Sequence, residues 1–95
     1  MSEKILTLHP DPEKQGTTID KDKYEQMREA ILSALKGQNE QTFRGLQAEL
    51  EKALAGQFEG SIGWYYTSVK LDLEARKLIE RVPDSNPQIV RLIVE

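Results

Sequence analysis

Apolar positions recur along this chain with two different periods, and the change from one to the other divides it. From Asp20 onward Tyr24, Met27, Ile31 and Leu35 return at three- and four-residue steps, which places them on one face of a helix. Asp20 or Asp22 is available to cap that helix and Gly37 to stop it, so the pattern predicts a first helix over about Lys21 to Lys36. Leu46, Leu50 and Leu54 repeat the arrangement until Ala55-Gly56, with Gly45 early in the segment where its propensity cost matters least; a second helix is expected over about Arg44 to Leu54. Ser61 is a candidate N-cap for a third, about Ile62 to Lys77, whose Ile62, Tyr65, Tyr66, Val69 and Leu73 share one side.

Beyond that helix the period falls to two. Ile79 to Val82 precedes the turn formers Pro83-Asp84-Ser85-Asn86-Pro87, and Ile89 to Val94 follows with β-branched residues and Arg91 on one face, the pattern of a hairpin with a four- or five-residue tip. At the other end, Lys4 to Leu8 holds Ile5, Leu6 and Leu8 just ahead of two prolines, so it reads as an extended segment, and Glu13 to Thr18 as a polar loop or arm. The expected organisation is residues 1–20 as an N-terminal extended segment and arm, and residues 21–95 as the domain. With 95 residues the chain has room for one core.

Helix, short extended piece, helix, helix, hairpin is the order of a winged helix-turn-helix, an α+β fold in which the hairpin is the wing and the third helix can enter a major groove. The stretch "LEARKLIERV" looks like the junction between third helix and wing in such domains. "GWYYTSVKLDLEARKLIERV", with the later "NPQIVRL", is similar to the Gly-Trp-Tyr/Trp and Val-x-Leu-Asp-Leu-Glu-Ala signature of a family of small, uncharacterised bacterial proteins. "ILTLHPDP", "PEKQGTTI" and "KYEQMREAIL" extend that resemblance over nearly the whole chain. Where such proteins often carry Gly after "LEA[RK]", this chain has Lys77, which points to a different helix end. The resemblance implies no activity, and the fold alone is compatible with binding DNA, RNA or protein.

Charge weighs against the easiest of those functions. Thirteen Lys and Arg face sixteen Asp and Glu, a net of -3, whereas dedicated nucleic-acid domains usually carry a basic surface. A groove-reading third helix would have to rely on Thr67, Ser68 and Lys70, with Arg81 and Arg91 of the wing reaching phosphates of duplex DNA. Its outward side also holds Trp64, Leu71 and Ala75. A Trp-Leu stripe asks for a cover: either the N-terminal segment folded over it, or a protein partner such as a second copy, with Trp64 as anchor.

Catalytic chemistry finds little support. His9 is the only histidine and stands before a proline in an extended segment, which makes a His-dependent triad improbable. Asp20 and Asp22 alternate like two calcium ligands but lack the Gly and Glu that complete an EF-hand loop, so they read as helix caps. Asp72 and Glu74 lie on different faces of their helix, and no glycine spacing matches a phosphate loop. The expectation is therefore a non-enzymatic domain with no metal, cofactor or small-molecule ligand. The absence of cysteine fits a reducing compartment, and no apolar run approaches the roughly 20 residues needed to span a bilayer, so the default location is cytoplasmic.

Overall fold

The computed structural model describes residues 3–14 and 16–93. Strand β1 (Lys4–Leu6) pairs antiparallel with β2 (Thr18–Asp20), Ile5 opposite Ile19, and helix α1 (Lys21–Gly37) follows without a break. Strand β3 (Glu40–Thr42) leads into α2 (Phe43–Leu54), then α3 (Ile62–Ala75), β4 (Ile79–Arg81) and β5 (Ile89–Leu92). The last three strands form an antiparallel sheet in the order β3-β5-β4, so β3 adds to the outer side of the hairpin's second strand. The chain is α+β, and none of its helices is long and apolar enough to cross a membrane among the described residues.

Each helix starts where a side chain can satisfy its first orphan amide. Asp20 accepts from the Asp22 amide, Thr42 from Gly45 at 3.0 Å and Ser61 from Trp64 at 3.2 Å. Glycine at position 45 is part of the second cap: a Cβ there would sit 2.8 Å from the Thr42 hydroxyl. Helix α3 ends differently. The Leu78 amide reaches back to the Leu73 carbonyl and the Lys77 amide to that of Glu74, the two bonds of a Schellman cap, and Lys77 itself is left-handed at φ 67°.

Tyr24, Met27, Ile31 and Leu35 of α1 meet Leu46, Leu50 and Leu54 of α2 and Tyr66, Val69 and Leu73 of α3 in one core, closed by Ile19, Ile79 and Val90. The first two helical faces are as the periodicity predicts. On α3, Ile62 and Tyr65 are only half-buried, and Lys70 and Asp72 are buried in their place.

Three differences from the sequence expectation concern strands. The arm through Thr18 ends in β2, and its Ile19 belongs to the core, so residues 1–20 are not merely an appendage. The short extended piece expected between the first two helices is the polar stretch Glu40-Gln41-Thr42, and it is a sheet strand held by β5 at Glu40↔Arg91. The hairpin strands are shorter than their apolar runs, and Val94, expected within the second, lies outside the described residues.

Candidate interaction surface

Helix α3 crosses the domain with one side in the core, so its opposite side is set by the same 100° step: Trp64, Thr67, Ser68, Leu71 and Ala75. Trp64 is 47% exposed, and among the described residues no segment folds over it to bury it. Its ring stands edge-on to Tyr65, centroids 4.9 Å apart, and Tyr65 stands edge-on to Phe58 at 5.1 Å. The Lys23 ammonium lies 5.3 Å from the Tyr65 centroid. This row of rings packs against the indole from one side. Leu71 and Ala75 are half-buried, Ser68 is half-buried, and the exposed Thr67 returns its hydroxyl to the Gly63 carbonyl at 3.0 Å. The outward side therefore carries no charged group.

Lys70 occupies the position where a charge was expected at the border of that face, and it points elsewhere. It is 5% exposed; its Nζ donates to Gln88 Oε1 at 2.6 Å and lies 2.7 Å from Glu74 Oε1. The glutamate contact is close enough to pair the charges but off-axis for a hydrogen bond, so that oxygen is held by Coulombic attraction alone. The Phe43 ring, 5.3 Å from the ammonium, completes the enclosure. Lys70 thus ties α3 to the approach of β5, and its ammonium is engaged inside the domain. A Lys followed by Glu at i+4 was the readable signal.

The cations of the hairpin divide. Arg91, in the central strand, stands between Glu80 of β4 at 2.6 Å and Glu40 of β3 at 4.0 Å, and each is its directly opposite neighbour in the sheet. Arg81 is exposed. Of the three expected phosphate contacts, Lys70 and Arg91 are committed to carboxylates, and Arg81 alone has no ion pair among the described residues.

The sequence raised Asp72 only as half of a carboxylate pair with Glu74, and its place in the fold is a different one. Asp72 is fully buried on α3. Its carboxylate accepts from the Tyr24 hydroxyl, from Arg76 Nε at 2.9 Å and from the Leu8 amide at 2.8 Å. Burial first, then the hydrogen bond to Asp72 and its charge, raise the Tyr24 hydroxyl to about 12. Its own hydrogen bond to Asp72 holds the Arg76 guanidinium above its ordinary value, and burial also pushes Tyr66 up. One carboxylate therefore fastens the segment after β1 to the far half of α3, well away from Trp64. The i,i+4 pair Asp72-Arg76 was visible in the sequence; the 48-residue partner Tyr24 was not.

His9 is half-buried, its Nδ1 accepting from the Asp11 amide at 3.0 Å, and it has no carboxylate partner among the described residues.

No curated protein matches this sequence. A family model described as a family of unknown function, DUF6958, matches residues 4–90, and the chain belongs to that family.

Proposed function

We propose that this chain is a non-enzymatic winged-helix domain that acts as a protein-interaction module, pairing with a second copy of itself through the outward face of α3. The element order and the β3-β5-β4 sheet, with the first short strand laid against the hairpin, support the winged-helix reading. One observation carries the function: Trp64 is held half-exposed on a helix face without charge, in a chain where charged residues make up 31%. Interface cores are depleted in charge and enriched in tryptophan, and a neutral face meets its own copy across a two-fold axis without like-charge repulsion.

Size limits the strength of such a pairing. A standard interface takes about 800 Å² from each partner. Helix α3, with 14 residues, is about 21 Å long, and its outward face alone supplies less than that. The expected dimer is weak, with a dissociation constant on the order of 100 μM.

Duplex DNA is the second reading, favoured by the winged-helix arrangement of α3 and hairpin. The internal pairing of Lys70 and Arg91 leaves it Arg81 as its cationic contact, too little to release the counterions that drive such binding.

Sedimentation equilibrium from about 10 μM to 1 mM separates these readings. The parent chain should rise from its 10.8 kDa monomer mass toward twice that value, and Trp64→Lys should stay monomeric with an unchanged circular dichroism spectrum. A parent that stays monomeric at 1 mM overturns the pairing. Binding of mixed-sequence duplex at low salt, lost in Arg81→Glu, would put DNA in its place.

A further inference from the structure

Hydrogen bonds tie down the described residues on both sides of the connection between β1 and β2. The Thr7 amide donates to the Thr17 carbonyl at 2.9 Å, and the Thr7 hydroxyl both donates to that carbonyl and accepts from the Thr17 amide. Asp11 caps the Glu13 amide, and its carbonyl takes the Lys14 amide at 3.0 Å. Gly16 lies so close to Thr7 that a Cβ would fall 1.7 Å from the Thr7 carbonyl oxygen. These contacts hold the turn beside the end of α3, where Leu6, Leu8, Pro12 and Ala75 line an open cleft of about 530 Å³. That volume lies within the usual range for small-molecule sites. Leu6 is 59% and Leu8 42% exposed, an unusual amount of leucine surface to leave facing one concavity.

The cleft is lined by a single charged side chain. Lys14 lines it, and no carboxylate is among its lining side chains. His9 also lines it, and because its Nδ1 accepts from the Asp11 amide, the neutral ring carries its proton on Nε2 and is a donor there. Apolar floor, one ammonium and one imidazole donor are the complement of an apolar tail ending in an anion.

We propose that this cleft binds a small apolar carboxylate, a medium-length alkyl chain lying on Leu6 and Leu8 with its carboxylate on Lys14 and His9. The site meets the outward side of α3 at Ala75 and does not include Trp64. Octanoate is the probe, followed through the amide resonances of Thr7, Lys14, Gly16 and Ala75 in 1H–15N spectra. Saturable shifts at these four amides with a dissociation constant of about 1 mM are expected, since small ligands gain only a few tenths of a kcal/mol per heavy atom. Octylammonium, with the same tail and the opposite charge, should bind at least tenfold more weakly, and Lys14→Glu should weaken octanoate by a similar factor while leaving the spectrum of the core intact. Equal binding of the two amphiphiles, no saturation by 20 mM octanoate, or shifts centred on Trp64 instead would overturn the assignment.

Discussion

Tyr24, at the start of α1, donates its hydroxyl hydrogen to the carboxylate of Asp72, 48 positions further along in the last half of α3. The same carboxylate holds the Leu8 amide and Arg76, so a single buried group joins the first helix, the third helix and the segment after β1. Hydrogen bonds to charged groups contribute about 1.5–3 kcal/mol, and removing one partner of a buried charge costs more than removing both.

Tyr24→Phe should therefore lower unfolding stability by about 1.5–3 kcal/mol. Asp72→Ala, which strips three donors at once, should cost about 3–5 kcal/mol. The Arg76 share of that loss is small because its side chain is 38% exposed. Urea titrations followed by circular dichroism measure both; losses under 0.5 kcal/mol would contradict the role given to Asp72.

Alkaline pH should loosen the fold through the same tyrosine. Its folded pKa is raised to about 12 from an ordinary value near 10, so the native state favours the protonated hydroxyl. The resulting stability is fully present below pH 10 and is lost as pH rises through 12, a decline of about 2–3 kcal/mol for a shift of this size. Tyr66, also pushed up by burial, acts in the same direction. Denaturation midpoints measured across that window should fall, and Tyr24→Phe should fall less steeply than the parent. A slope unchanged by Tyr24→Phe would count against the linkage.

Lys77→Gly should stabilise the domain by about 0.5–1 kcal/mol, because a left-handed backbone costs a side chain what it does not cost glycine. Gly16→Ala should do the reverse, by about 1–3 kcal/mol, since its methyl group would enter the Thr7 carbonyl. Thermal melts of the two variants should move in opposite directions; a Lys77→Gly melt below the parent's would contradict the cap geometry.

The helices were legible because their faces repeat: the buried residues of α1 and α2 are the ones the spacing selects. The strands Thr18–Asp20 and Glu40–Thr42 were not, since each is three mostly polar residues whose state is set by a distant partner, Lys4 to Leu6 in one case and Ile89 to Arg91 in the other. On α3 the periodicity placed Trp64 outward, as found, but it could not foresee that Lys70 and Asp72 turn inward. Their burial depends on Gln88, Tyr24 and Leu8, which no local pattern connects to them. The cleft beside Ala75 escaped for the same reason: Leu6 and Leu8 read as a strand seeking a core.

Self-association through the α3 face is tested most directly by the indole itself, because Trp64 is the only tryptophan in the chain. Its emission maximum and its quenching by acrylamide report how much of that ring water reaches. Pairing predicts that dilution from about 1 mM to 1 μM shifts the emission to longer wavelength and raises the quenching constant at least twofold, with a midpoint on the order of 100 μM. An emission maximum and quenching constant that stay constant over that whole range would contradict it.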